Sequence, residues 1–325
     1  VLEGSVGNWG PVPMPAHPDM TREQAIAAVN YILNVDEEMA NINVPVDSSG
    51  RPYRATDEFD YDVLPKLVSL HPSLNIENLT PEGFEPKVGG MDFRSDGKLV
   101  VASWDLDGAV FLIDPAAPAQ KRVRRIAEGL HEPLGLTIVD DRIFVLQKQE
   151  LTELVDTNGD EIIDEYRAVS YDWPTTSNFH SFAFGLEHRD DSFFFLLSIC
   201  VLPGGASCPE QMPTQGKLVR VDAQGKAQIF ASGFRTPNGI ASGPGDSFYI
   251  TDNQGDWLPS SKFVRVDEGG FYGSRAVPDP GVMTAEEIPP DVWLPQDEVG
   301  NSPTQPLRLV EGPYAGQWIF GDVYN

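Results

Sequence analysis

One phrase recurs through this sequence, and it limits the fold more than any single residue does. A short Gly- and Pro-rich segment precedes a run of β-branched and aromatic residues, four times over. Glu85-Pro86-Lys87-Val88-Gly89-Gly90-Met91 precedes Lys98-Leu99-Val100-Val101-Ala102, and Gly129-Leu130-His131-Glu132-Pro133-Leu134-Gly135-Leu136 precedes Arg142-Ile143-Phe144-Val145-Leu146. Phe182-Ala183-Phe184-Gly185-Leu186 precedes Ser192-Phe193-Phe194-Phe195-Leu196, and Gly233-Phe234-Arg235-Thr236-Pro237-Asn238-Gly239-Ile240 precedes Ser247-Phe248-Tyr249-Ile250-Thr251. The marker glycines stand at 90, 135, 185 and 239, at intervals of 45, 50 and 54 residues. A period of that size, with several short strands per unit, is the signature of a β-propeller, whose sheets bury their faces against their neighbours. A further unit is expected from Pro306-Leu307-Arg308-Leu309 to Gln317-Trp318-Ile319-Phe320. The fold class is therefore all-β, a six-bladed propeller with about five blades in residues 64–325. An open array of β-sandwiches explains the period less well.

Charge narrows the partners. Across 325 residues the net charge is −26, which argues against nucleic-acid binding, since that requires a basic face. It suits a protein that solvates itself with carboxylates, whether for cationic partners or for a saline habitat. No apolar run is long enough for a transmembrane segment, and no signal peptide is visible. Cys200 and Cys208 enclose Val-Leu-Pro-Gly-Gly-Ala-Ser. Two free thiols and a disulfide, the latter fitting an oxidising compartment, both remain open.

Three stretches carry candidate chemistry. In Asp156-Thr157-Asn158-Gly159-Asp160-Glu161-Ile162-Ile163-Asp164 the side chains of Asp156, Asn158, Asp160 and Asp164 fall at spacings that can converge on Ca²⁺, with the carbonyl of residue 162 as a further oxygen. An acidic turn without metal is the competing reading. His180, just before an inner strand, would point to the propeller's central channel, where a histidine can act as general base. Against this stands a histidine merely satisfied by hydrogen bonds, and His131 occupies the matching place one unit earlier. The third stretch joins Arg235, Thr236 and Asn238 to Asp252, Asn253 and Asp256 at strand starts and ends. Arg235 can bind a carboxylate or quinone oxygen with its fork of donors. The Asn and Asp residues can hold a cation or sugar hydroxyls, or simply cap turns.

These stretches, with Gly269-Gly270-Phe271-Tyr272-Gly273 and Asn301-Ser302-Pro303-Thr304-Gln305-Pro306, resemble propellers of the soluble quinoprotein glucose/sorbosone dehydrogenase type, and more closely their haem-containing, membrane-bound-dehydrogenase-like relatives. The resemblance implies a propeller that holds pyrroloquinoline quinone (PQQ) and oxidises a sugar, sugar aldehyde or alcohol. His180 matches the family's base and Arg235 its quinone- and substrate-contacting Arg, while Thr236 stands where the family has Asn. Thr236-Pro237-Asn238-Gly239-Ile240 with Tyr249-Ile250-Thr251-Asp252 also resembles gluconolactonase propellers. There an Asn and an Asp, matched by Asn238 and Asp252, bind a cation that activates water for lactone hydrolysis.

The N-terminal stretch points elsewhere. Trp9-Gly10-Pro11-Val12-Pro13-Met14-Pro15, followed by an amphipathic helix with Ala25, Ala28, Val29 and Ile32 on one face, resembles the distal half of a class I cytochrome c, with Met14 as axial ligand of haem c. Residues 1–35 are expected to be that remnant and residues 36–63 a linker. A cytochrome of this kind needs a Cys-x-x-Cys-His, which this sequence does not contain, so the reading frame is expected to extend upstream and to continue past Asn325. A fused electron carrier favours a dehydrogenase over a hydrolase. The expectation is a periplasmic or secreted oxidoreductase that passes electrons to a haem partner. The alternatives are the lactone hydrolase and a non-enzymatic haem redox or binding module.

Overall fold

In the computed structural model the chain divides into two units, Val1–Asn75 and Ile76–Asn325. The structure describes residues 78–322 apart from Gln254, Asp256, Trp257, Asp279 and Asp297, together with Thr21. The expected cytochrome remnant with Met14, the linker over 36–63, and Asp256 lie outside the described residues.

Each repeat of the sequence is one antiparallel sheet. β1 (Val88–Phe93), β2 (Leu99–Ser103), β3 (Val110–Ile113) and β4 (Val123–Ala127) form the first. The second is β5 (Gly135–Val139), β6 (Arg142–Leu146), β7 (Leu151–Val155) and β8 (Glu165–Ser170). The third is β9 (Ala183–Arg189), β10 (Ser192–Leu197), β11 (Lys217–Val221) and β12 (Ala227–Ser232). β13 (Thr236–Ser242), β14 (Phe248–Asn253), β15 (Ser260–Val266) and β16 (Val292–Pro295) make the fourth, and β17 (Leu307–Arg308) pairs with β18 (Trp318–Ile319) in a fifth, two-stranded sheet. Among the described residues there are thus four complete blades and the start of another, where about five were expected.

Local chemistry explains the meander. Asp140-Asp141 and Asp190-Asp191 all have positive φ, and the pairs Val139↔Arg142 and Arg189↔Ser192 close two-residue loops around them. This is the type I′ geometry that matches strand twist, and Asp tolerates it by bonding its own backbone.

The core lies between blades. Val100, Val110 and Leu112 of the first sheet pack with Leu136, Ile143 and Val145 of the second. Phe144 and Leu146 pack with Phe193 and Phe195, and Phe194 and Leu218 with Ile240, Phe248 and Ile250. Middle strands are therefore covered on both faces; all five residues of β2 are buried. At the inner strands the blades approach more closely. A Cβ added to Gly90 would lie 2.6 Å from the Leu136 amide nitrogen, one on Gly135 would lie 2.6 Å from the Gly185 carbonyl oxygen, and one on Gly185 would lie 2.8 Å from Ile240 Cγ2. A Cβ on Gly239 would overlap the Cα of Gln305, just before β17. The marker glycines are where one inner strand meets the next. Among the described residues no helix is long and apolar enough to cross a membrane.

Candidate functional site

The inner strands β1, β5, β9 and β13 are neighbours in that order. Pairings such as Ala183↔Leu197 and Thr236↔Asn253 put the starts of inner strands and the ends of second strands at one end of the propeller. That end gathers His180, Arg235 and Thr236.

His180 is half-buried in the turn before β9. Its backbone N–H donates to Asn178 Oδ1 at 2.9 Å. Its Nδ1 lies 3.1 Å from the Ile199 carbonyl oxygen. A carbonyl only accepts, so Nδ1 carries the proton and Nε2 keeps a lone pair. Nε2 faces Thr236 Oγ1 at 3.4 Å. Phe179 and Phe182 flank the ring, with centroids 5.9 and 5.3 Å away. Burial, helped by the charge of Arg235, holds the imidazole pKa below its ordinary 6.5 against the Ile199 carbonyl, which favours the charged form. His180 is uncharged at neutral pH.

Arg235 is buried, at 8% exposure. Its guanidinium donates to Thr236 Oγ1 at 3.3 Å and to the Gly205 carbonyl. The fork that the sequence offered to a ligand is thus partly used within the protein. The backbone here is held by Asp252, whose carboxylate accepts the N–H of Arg235 at 3.1 and 3.2 Å and that of Thr236 at 2.9 Å. Asp252 is 1% exposed, and Lys262 Nζ stands 3.4 Å from it. Burial pushes its carboxyl up, opposed by the Lys262 ammonium and the two amides. Asp252, expected along a polar channel, is placed beneath the Arg235–Thr236 turn, with both oxygens turned to that turn and to Lys262. Asn253 bridges Ser302 and Ser261, at 3.1 and 3.3 Å. Asn238 is half-buried on β13, and its carbonyl accepts the Thr251 hydroxyl at 3.1 Å.

Sequence reasoning missed the supports of this site. Lys148 is buried, pairs with Glu132 at 3.1 Å, and donates to the carbonyl of Asn178, the residue that orients His180. Trp104, from the first blade, stacks edge-on with Phe182 at 5.9 Å. Arg235, Asp252, Lys262, Arg275, Glu287 and Trp293 line a cavity of about 480 Å³. Cys200 and Cys208 form a disulfide, closing the hairpin that carries Gly205. The disulfide is one of the two readings the sequence left open for this cysteine pair.

The acidic loop lies elsewhere. Leu146 and Leu151 pair at the His180 end of β6 and β7, so the β7–β8 connection lies at the opposite end of that blade. Asp156 accepts the amides of Asn158, Gly159 and Glu161 at 3.1, 2.7 and 2.7 Å. Asn158 Oδ1 accepts the Asp160 amide at 3.0 Å, and Asp160 Oδ1 that of Ile162 at 2.8 Å. Asp164 accepts the Thr157 amide and hydroxyl, each at 2.9 Å. Glu161 meets Lys98 at 2.7 Å and Arg124 at 3.2 Å, tying the loop to the first blade. Among the described residues no group of three or more His, Cys, Asp or Glu side chains is gathered to hold a metal.

Comparison with known proteins bears out the fold. No protein-family model matches the chain, and no curated protein matches it. Solved structures do. The PQQ-bound form of an aldose sugar dehydrogenase from Streptomyces coelicolor shares 12% identity at a TM-score of 0.55, over 76% of this chain and 84% of that one. A putative oxidoreductase of glucose dehydrogenase type from Thermus thermophilus shares 17% identity at 0.52, over 75% and 84%. A further glucose dehydrogenase shares 14% at 0.56, over 74% and 81%. At these identities the likeness is one of fold.

Proposed function

We propose that the chain is the propeller of an exported oxidoreductase that oxidises a sugar, sugar aldehyde or alcohol. One observation carries this reading: the imidazole of His180 is fixed with its Nδ1 proton on the Ile199 carbonyl, so an unprotonated Nε2 faces the Thr236 hydroxyl. A base in that state, neutral at physiological pH, is what proton removal from a substrate hydroxyl requires. The phenyl rings of Phe179 and Phe182 flank it. Arg235 holds an anionic oxygen at the same place, oriented by Asp252 below.

The solved neighbour with PQQ in its name motivates that cofactor here. The described residues fit one edge of it: a guanidinium for a quinone or carboxylate oxygen, with the Thr236 hydroxyl between guanidinium and imidazole. Lys148 and Lys262, two further cations near these residues, are matched by Glu132 and Asp252. PQQ held by Arg235 and Thr236 supplies a two-electron acceptor. Removal of the hydroxyl proton by His180 Nε2 is the protein's own part in the reaction. A haem c partner, with Met14 as its ligand, and an oxidising compartment complete the proposal. The first rests on sequence resemblance, the second also on the disulfide. The acidic loop is proposed as a structural Ca²⁺ site.

The test uses the chain supplied with PQQ and Ca²⁺. Dye reduction is measured on a panel of aldoses and alcohols, and ring opening on a panel of lactones with divalent cations. Dye reduction that falls roughly 10²–10⁴-fold in His180→Ala is expected. Lactone hydrolysis that survives His180→Ala and is lost in Asp252→Ala would overturn the reading.

A further inference from the structure

The geometry points to the disulfide-closed hairpin 200–208 as the positioning element that fixes the guanidinium of Arg235. This deepens the dehydrogenase reading and rests on it for its kinetic consequence only.

The hairpin is built as a rigid bracket. Val201 and Ser207 form a β-bridge, the Leu202 amide donates to Ala206 at 2.8 Å, and the Cys208 amide donates to Cys200 at 3.0 Å. Gln211 seals its base: its side chain accepts from the Cys200 amide at 2.8 Å and donates to the carbonyls of Cys200 and Cys208 at 2.8 and 3.1 Å. Asn178, which orients His180, also donates to the Val201 carbonyl at 3.0 Å. At the tip, Gly204 and Gly205 both take φ of +98°, a conformation that only glycine adopts without strain. This turns the Gly205 carbonyl onto Arg235 Nη2. The hairpin thus sets where the fork of Arg235 points. The disulfide removes the conformational freedom that would let the tip leave.

The imidazole is held differently. Its carbonyl partner, Ile199, lies outside the closed loop and is fully buried with Val201 and Val277. The Ile199 amide donates to the Arg235 carbonyl at 2.9 Å. Opening the disulfide therefore loosens Arg235 directly, whereas it reaches His180 only through Asn178 and its bond to Val201. With a small dithiol the Sγ–Sγ bond breaks and two cysteine thiols form. The reagent's two thiols supply the two electrons and two protons, and it leaves as its cyclic disulfide.

The first readout needs no activity. The full chain is labelled with phenylglyoxal, and the rate at Arg235 is followed by peptide mass mapping, with the half-exposed Arg220 of β11 as control. Three forms are compared: oxidised, dithiothreitol-reduced, and Gly205→Val. The last leaves the disulfide intact and has room for the new Cβ, but cannot keep the tip's φ. Labelling at Arg235 should rise several-fold in both altered forms and stay constant at Arg220. Equal labelling of Arg235 in all three forms overturns the proposal. The second readout is kinetic, with the best aldose of the panel. KM should rise roughly tenfold, the scale of one lost charged hydrogen bond, and the acid limb of the pH profile set by His180 should move toward higher pH as the Arg235 charge that helps lower its pKa withdraws. A KM that stays unchanged in both altered forms, or a limb that moves toward lower pH, overturns the assignment to Arg235. A chain without dehydrogenase activity refutes the proposed function, and the labelling still decides the bracket.

Discussion

The glycines at the inner strands make a quantitative demand on stability that can be dissected with three substitutions. Gly97 sits in the β1–β2 turn at φ +81°, with nothing within 4 Å of where a Cβ would go. Gly97→Ala therefore meets only the left-handed backbone, a cost of about 1–2 kcal/mol offset by about 0.4–1 kcal/mol from the stiffer unfolded chain. Gly90 lacks a positive φ, but its Cβ would stand 2.6 Å from the Leu136 nitrogen and 2.8 Å from the Gly135 carbonyl carbon. Both are main chain and cannot swing aside, so Gly90→Ala should cost about 1–3 kcal/mol as overpacking. Gly239 combines a φ of +119° with overlap of the Gln305 main chain. Its substitution by Ala should cost about 2–5 kcal/mol, a large share of the ~5–15 kcal/mol that keeps a domain folded. Urea unfolding followed by tryptophan fluorescence measures all three, with an unchanged m-value as the condition for comparing them. The reasoning fails if Gly239→Ala and Gly97→Ala destabilise equally. Close approach of the inner strands would then contribute nothing beyond the turn geometry.

Other outcomes follow from the site. The buried imidazole of His180 has its pKa lowered, so kcat/KM should fall only as pH drops through a value below 6.5. Arg235→Met, which removes the charge that helps burial lower it, should move the histidine's NMR titration upward. The sign for stability is the same: the unfolded chain takes up the proton more readily, so stability is lost as pH falls from about 6.5 through the folded pKa. Asp252→Ala takes the carboxylate partner from the half-buried Lys262 and frees two amides, and should cost about 3–5 kcal/mol in chemical unfolding; an effect within experimental error would show that the anchor is unnecessary. Ca²⁺ should raise the Tm relative to chelator by the linkage expected of a ligand of the folded state, and Asp160→Ala should abolish that rise; identical melting in calcium and chelator would make the loop an ordinary turn.

The fold was legible because its repeating glycines answer a geometric need that no other residue meets. The strands between them are short and bounded by turn residues such as Asp140-Asp141. The site was legible in part. His180 was singled out from its place before an inner strand and Arg235 from the phrase around it, and the structure brings both to one end of the propeller. What the sequence hid was orientation. In β14 the consecutive residues Ile250, Thr251 and Asp252 are all buried, because a middle strand of a blade is covered on both faces. The alternation that would separate a channel-facing residue from a core residue is therefore absent. Asp252 reads equally well as a ligand and as an anchor until its partners Arg235, Thr236 and Lys262 are known. Long-range supports were invisible for a related reason. Gly205 and Arg235 are 30 residues apart, and nothing local marks a carbonyl that will meet a guanidinium.

Contact through glycine has a bearing on how such a molecule is put together. Where one inner strand meets the next, the surface presented is chiefly main chain, and main chain is alike in every blade. At the glycines the joint asks for no matched pair of side chains; the pairs Asp92–Thr137 and Glu187–Ser242 cross further along the same strands. A duplicated blade meets its neighbour through the same peptide edge from the moment it exists, and its outer faces can diverge afterwards. The rigid axis leaves the rim free to vary. Residues such as His180, Arg235 and the closed hairpin are placed on a frame whose joints do not depend on what they are.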